Sequence, residues 1–183
     1  MTSSVVFVLL AVLGQTSAKF GEIILLIDTN IARGGNVIQS SLFGNGVPER
    51  AIDGNRTSDL GQGSCSITQA DLKPWWRLDL MKTYQINNVT ITNRGDCCPE
   101  RINGAEIRIG NSLYDNGNDN PRCAVISSMA AGTSQTFMCN RMEGHYVNIV
   151  IPGRQEYLTL CEVEVTGQAL GITAPTGDSY HLT

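Results

Sequence analysis

Short runs in which apolar and polar residues alternate constrain this chain more than any other feature. In the stretch Ala105–Asn111, Ile107 and Ile109 fall on one face and Glu106 and Arg108 on the other. His145–Pro152 sets Val147, Ile149 and Ile151 on one side, and Gln85–Asn93 contributes Val89 and Ile91. Leu158–Gly167 turns Cys161, Val163 and Val165 inward and Glu162 and Glu164 to the opposite face. A period of two is the signature of a half-buried strand, and Gly, Asn and Pro punctuate the runs. No stretch carries a three-turn amphipathic helix, and repeats and low-complexity blocks are absent. The expectation is an all-β sandwich. In Pro74–Leu80, neighbouring Trp75 and Trp76 must face opposite ways on a strand. One then enters the core as a packing residue, the other covers an edge, and Arg77 and Asp79 share a face.

A length of 183 residues fits one domain. Residues 1–18 read as a secretory signal: Val5–Leu13 is apolar but too short to span a bilayer, and Thr16–Ala18 are small. The expected division is a signal at 1–18, a lead-in at 19–29, the domain at 30–167 and a tail at 168–183. A secreted, extracellular protein without a transmembrane anchor is implied. The formal charge of −4 argues against nucleic acid as partner. His145 and His181 are the two histidines, one in a strand and one in the tail. Neither pairs with a nucleophile in an evident catalytic pattern, so no enzymatic activity is expected.

Six cysteines, Cys65, Cys97, Cys98, Cys123, Cys139 and Cys161, point to three disulfides in a secreted chain. The absence of a CxxC pair disfavours a zinc ribbon. Spacing alone leaves the pairing open. Cys97 and Cys98 are adjacent, between Arg94 and Arg101. Bonded to each other they close too short a loop to remove much unfolded-state entropy. Such a pair makes a rigid, polarisable knob suited to the C–H face of a sugar, with an arginine on each side for the hydroxyls. Bonds from each to a distant cysteine are the alternative.

Asp53 and Asn55, two hard oxygen donors in a polar loop, suit Ca²⁺. The loop is not an EF-hand: counted from Asp53, Ser58 replaces the turn glycine and Ser64 the bidentate glutamate. By itself such a pair is more often a turn, with Asp and Asn bonding their own backbone. Arg94-Gly95-Asp96 spells an integrin-attachment tripeptide, and Leu42 and Phe43 in Ser40–Glu49 are apolar loop residues of the kind that enter membranes. These support an alternative adhesion reading, although Arg94 cannot readily hold sugar and integrin at once. Asn55-Arg56-Thr57 and Asn88-Val89-Thr90 are glycosylation sequons; occupancy of the first conflicts with metal binding at its loop.

The stretches Glu49–Arg56, Gly63–Cys65, Pro74–Leu80, Val89–Gly110, Asn120–Cys123 and Leu160–Val165 resemble, in order, the F-type lectins, the fucolectin family of fish. The resemblance runs from about Asn30 to Val165. It implies a jelly-roll, discoidin-like β-sandwich with disulfides Cys65–Cys161, Cys97–Cys98 and Cys123–Cys139. It implies Ca²⁺ held by Arg50, Asp53, Asn55, Ser64, Cys161 and Glu162, the Arg50 and Cys161 contributions being backbone carbonyls. It implies sugar binding by Arg94, Arg101 and the Cys97–Cys98 pair, with fucosylated glycans on cell or microbial surfaces as partners. Trimers and a role in innate immunity are also implied. The family's sugar-binding histidine corresponds to Ile67 here, and the aromatic residues that cradle the fucose methyl are changed. A missing neutral hydrogen bond costs about 0.5–1.5 kcal/mol, roughly two- to thirteen-fold in affinity, so a weakened or altered sugar preference is expected.

Overall fold

The computed structural model describes residues 29–170. The signal expected at 1–18, nearly all of the lead-in and the tail beyond Leu170 lie outside the described residues, as does His181. Eight strands are present in the described chain: β1 Asn36–Gln39, β2 Ser66–Leu72, β3 Trp75–Thr92, β4 Glu106–Gly110, β5 Arg122–Val125, β6 Ser134–Val150, β7 Gln155–Leu160 and β8 Glu162–Ala169. One sheet runs β1-β3-β6-β4-β5 with β8 also on β3, and β2 and β7 form a second, two-stranded sheet. All pairings are antiparallel. The helical elements among the described residues are short 3₁₀ turns, as the lack of a 3.6-residue period requires. The outcome is the all-β sandwich expected from alternation.

The strand β3 organises the larger sheet. Its first half pairs with β1 on one side, its second half with β8, and β6 runs along its other edge. Trp76, Leu78 and Leu80 point into the core, while Trp75, Arg77 and Asp79 face outward. The guanidinium of Arg77 lies 5.6 Å from the Trp75 ring and 5.5 Å from the Tyr146 ring, which covers the outer aromatics. Register shifts fall between Asp79 and Tyr84 and between Ile86 and Asn88. The second shift explains why Ile86 and Val89, three residues apart, are both buried: a bulge exchanges the two faces of a strand. Val147 and Ile149 of β6, Ile151 just beyond its end, and Val163 and Val165 of β8 are fully buried, as alternation predicts.

The chain changes sheets at Cys161. β7 pairs with β2, whereas β8, one residue later, pairs with β3, so Leu158 and Leu160 from the small sheet join Val163 and Val165 in one core. β8 runs two residues past Gly167, the expected end of the domain, because Gln168 and Ala169 pair with Gln85 and Tyr84. Gly167 permits this close approach: a Cβ there would sit 2.6 Å from the Gln85 carbonyl oxygen. Beneath the corner, Trp76 is fully buried and its indole N–H donates to the Pro48 carbonyl at 3.1 Å, which ties the 3₁₀ turn Pro48–Ala51 to the core. Removing so large a buried side chain costs about 3–5 kcal/mol. Trp76→Ala is therefore expected to lower unfolding stability by that amount in a urea titration; a loss under about 1 kcal/mol would contradict this packing.

Candidate functional site

Three segments meet at one end of the sandwich, where Cys161 bonds Cys65 and donates its backbone N–H to the Thr92 carbonyl at 3.1 Å. They are the loop from Asp53 to Ser64, the start of β8 at Glu162, and the loop after β3 that begins at Asn93.

The loop after β3 is built from inside. Asn93 is almost fully buried, and its carboxamide donates to the carbonyls of Pro99 and Met129 at 3.0 and 3.3 Å. Its Oδ1 accepts the Arg94 amide at 2.9 Å. The Gly95 amide donates to the Ser58 carbonyl at 2.7 Å. A Cβ on Gly95 would stand 2.5 Å from Ser58 Oγ and 3.1 Å from Gly132 Cα, so any side chain here would press these two loops apart or turn Ser58 aside. Cys97 and Cys98 are bonded to each other, and Cys123 to Cys139, the pairing that the resemblance implies. Cys98 has φ 55° and caps the 3₁₀ turn Pro99–Ile102 that carries Arg101. A non-glycine residue in this left-handed region is uncommon and concentrates at functional sites.

Both arginines of this loop have fixed partners. Arg94 donates to Asp96 through Nε (2.9 Å) and through a terminal nitrogen (2.7 Å), a bidentate pair of the stronger, charge-assisted kind. Asp96 also accepts the Leu60 amide at 3.1 Å. The Arg94 guanidinium holds the Asp96 carboxyl down at about 2, aided by the Leu60 amide and opposed by burial. Arg101 lies over the Tyr157 ring at 4.8 Å and 3.6 Å from the Glu156 carboxylate. Arg154 holds the turn beneath it by donating to the Arg101 and Asn103 carbonyls at 2.8 and 2.6 Å. The pairing of Asp96 with Arg94, and Glu156 and Tyr157 altogether, escaped sequence reasoning. Asp96 stands two residues from Arg94 and was legible as a partner, but nothing in the sequence links Arg101 to a strand more than fifty residues on.

Ile67, the counterpart of the family's histidine by resemblance, lies beneath a covering segment. Its side chain is only 2% exposed, because the segment Gln39–Gly46 covers it. Ile67 donates to the Gly46 carbonyl at 3.0 Å and accepts from Phe43 at 3.1 Å and from the Gln39 side chain at 3.0 Å. A Cβ on Gly46 would lie 2.4 Å from Ile67 Cγ2. Ile67 is thus a wall of a cavity of about 130 Å³, shared with Phe43, Arg50 and Leu60. Leu60 connects that cavity to Asp96. The attachment tripeptide is closed on itself, since Arg94 grips Asp96 and their side chains are 13% and 30% exposed. Leu42 and Phe43 are exposed, and Phe43 meets Tyr157 edge to face at 5.4 Å.

The Asp53 loop abuts a buried carboxylate. Glu162 is completely buried, and both its oxygens accept the Gly54 amide, at 3.1 and 3.2 Å. Burial pushes its carboxyl up to about 7; the Gly54 amide opposes this, and the negative charges of Asp53 and Glu164 add to it. Asp53 Oδ1 accepts the Asn55 amide at 2.8 Å and Asn55 Oδ1 accepts the Thr57 amide at 3.0 Å, each oxygen keeping a second lone pair. Ser64 is buried and donates to the Asp59 carbonyl at 2.8 Å. Arg33 reaches the Asp53 carbonyl at 3.2 Å, and Arg56 pairs with Glu164; Arg33 also draws the Glu162 carboxyl down from a distance, but among the described residues no cation forms a salt bridge with Glu162. A buried carboxylate beside a second one, with neutral oxygens around, is a donor set that fits a hard divalent cation. Among the described residues no three His, Cys, Asp or Glu side chains converge, so such an ion would depend on the neutral donors as well.

Together these features define a β-sandwich with a disulfide-bearing loop flanked by two held arginines at one end. The family described as "NedA-like, galactose-binding domain" matches residues 50–149. Fucolectin-5 of Anguilla japonica is 54% identical over 142 residues, which cover 74% of this chain and 75% of that protein. The structure of an F-lectin (fucolectin) from striped bass serum, Morone saxatilis, superposes with a TM-score of 0.77 at 57% identity. It covers 78% of this chain, which itself spans 48% of the striped bass chain. The lectin domain of lectinolysin complexed with Lewis B antigen matches at 29% identity and a TM-score of 0.63, over 75% of this chain and 95% of that domain. The chain belongs to the fucolectin, or F-type lectin, family.

Asp96 supplies a pH test of the loop. Its folded pKa lies below the ordinary 3.8, so its ionised form contributes stability above about pH 4, and this contribution is lost as pH falls through about 2. The difference in urea stability between wild type and Asp96→Asn is expected to shrink between pH 4 and pH 2; a difference that does not change with pH would contradict the Arg94–Asp96 pair.

Proposed function

We propose that this protein is a secreted, calcium-dependent lectin that binds terminal α-L-fucose on cell-surface or microbial glycans. The observation that carries this reading is one loop that presents Arg94, Cys97–Cys98 and Arg101 in sequence, each arginine already held by its own partners. Guanidinium groups fixed before the sugar arrives lose little freedom on binding it, so more of each hydrogen bond appears as affinity. The disulfide supplies an apolar surface for the C–H face of the ring. The cavity walled by Ile67, Leu60, Phe43 and Arg50 presents the apolar Ile67 side chain where the family places a histidine, which supports a weaker or shifted preference. The relatives matched by sequence and structure are lectins, and their names support sugar binding without chemistry on the sugar.

The calcium ion belongs to the same proposal. Asp53, Asn55, Ser64 and Glu162, with the carbonyls of Arg50 and Cys161, would hold it. Its charge would offset the buried Glu162 carboxylate and fix the Asp53 loop, against which Gly95 packs through Ser58. Trimers would turn a weak single site into avidity for clustered glycans, which suits innate recognition of microbes. Adhesion through integrin is disfavoured by the closed Arg94–Asp96 pair.

The sugar reading is tested by titration calorimetry with L-fucose. Arg94→Ala and Arg101→Ala should each weaken binding roughly ten- to hundred-fold, as expected for loss of a charge-assisted hydrogen bond, with circular dichroism unchanged. Unaltered affinity in both would move the site elsewhere. The calcium reading is tested by melting. In chelator, stability should fall as pH rises from about 4.5 to 7, because folded Glu162 retains a proton that the unfolded chain has released. Calcium should raise the melting temperature by several degrees at pH 7, by binding only the folded state. Coincident melting curves with calcium and with chelator would contradict it.

A further inference from the structure

The sequon Asn88-Val89-Thr90 lies within β3, the strand at the middle of the larger sheet, a position where a modification site is not expected. The face on which Asn88 stands is nevertheless open. Val89 and Ile91 are fully buried, so Asn88 and Thr90 point the other way. Their cross-strand neighbours on that side are Met138 and Thr136 of β6, and Thr166 and Glu164 of β8. Thr90 Oγ1 is hydrogen-bonded to Thr136 Oγ1 at 2.8 Å. Met138, directly opposite Asn88, is 63% exposed, an apolar side chain left in solvent in the middle of a strand. Asn87, Asn88, Met138, Asn140 and Arg141 line an open cleft of about 540 Å³.

The strand bearing Met138 is also an edge. β6 pairs with β4 only over Tyr146–Val150, and among the described residues no strand pairs with Ser134–Met142 on the side away from β3. Cys123 bonds Cys139 there, but among the described residues the ladder groups of that stretch pair with no strand on that side. Exposed edges invite pairing with another chain, and folded proteins cover or blunt them. By contrast, Asn55 of the other sequon has its carboxamide engaged with the Thr57 amide, in the loop that packs on Glu162.

We infer that Asn88 carries an N-linked glycan, whose innermost sugars occupy the Asn87–Arg141 cleft, cover Met138 and shield the open edge of β6. The bond forms between Asn88 Nδ2 and the anomeric carbon of an oligosaccharide carried on a lipid pyrophosphate. The sugar–phosphate bond breaks, the lipid pyrophosphate leaves, and the amide nitrogen gives up one proton; no electrons change hands. C–H faces of the first sugars pack on Met138, and Asn140 and Arg141 offer donors to their hydroxyls. Arg94 lies six residues further along the chain, about 20 Å at the rise of a strand, so the glycan leaves the candidate sugar site clear. The inference rests on the reading that the chain is secreted, because the transfer takes place in the secretory pathway.

The full chain is expressed in cultured vertebrate cells, recovered from the medium and digested, and the Asn88 peptide is mapped by mass spectrometry before and after peptide N-glycosidase treatment. The expected result is a glycopeptide at Asn88 and, on a gel, a mobility shift on deglycosylation that Asn88→Gln and Thr90→Val each reduce or abolish and Thr90→Ser keeps. An unmodified Asn88 peptide in wild-type protein, secreted or retained in the cells, overturns the assignment, as does a glycan confined to Asn55. L-Fucose titration of the same preparation reports on the sugar site separately, and Asn88→Gln should leave that affinity unchanged.

Discussion

The site depends on the corner at Cys161. There the chain leaves the two-stranded sheet and enters the larger one within a single residue, and the same residue is bonded to Cys65 across 96 positions of sequence. In the loop-closure view, a cross-link of that length removes about 4–5 kcal/mol of unfolded-state entropy. Its position matters more than its strength. Ser64 precedes one cysteine, Glu162 follows the other, and the Cys161 amide is bonded to Thr92, just before Asn93 and Arg94. One covalent bond and one hydrogen bond thereby fix the polar loop, the buried carboxylate and the arginine-bearing loop relative to a single core.

From that corner outward, each charged group is held by a different device. Arg94 is fixed by a bidentate carboxylate two residues away. Arg101 is fixed by an aromatic face and a longer ion pair from β7, with its backbone secured by Arg154. Glu162 is the exception: its burial opposes its charge, and the Gly54 amide with the more distant Arg33 does not offset that. An unpaired buried carboxylate is costly, and its retention beside Asp53 supports the proposed cation. Gly95, wedged between Ser58 and Gly132, couples the two halves, so that ordering the Asp53 loop also orders the loop that would meet the sugar.

Much of this was legible in the sequence, for physical reasons that differ by element. Ile107, Ile109, Val147, Ile149, Val163 and Val165 declared themselves because the faces of a strand alternate strictly. The same rule put Glu162 opposite Val163, but it could not foresee that the Asp53–Gly54 loop would bury it, since that contact joins residues more than a hundred positions apart. Ile86 and Val89 break the period because a bulge lies between them, and Gln168 and Ala169 extend β8 through pairing rather than pattern. The arginines flanking Cys97 and Cys98 were evident from spacing, whereas Glu156 and Tyr157 reach Arg101 only through the fold. Ile67 shows the limit of position-by-position inference: the resemblance sets it at the place of the family's histidine, but only the fold shows the Gln39–Gly46 segment closing over it.

The central claim is that the loop carrying Arg94, Cys97–Cys98 and Arg101 is where L-fucose binds. A crystal structure of the protein grown with calcium and saturating L-fucose tests it most directly. The account predicts a sugar ring seated on the Cys97–Cys98 disulfide, with its hydroxyls accepting from both guanidinium groups. A fucose bound on another surface, or an ordered loop with no sugar at a concentration that saturates binding in solution, would contradict it.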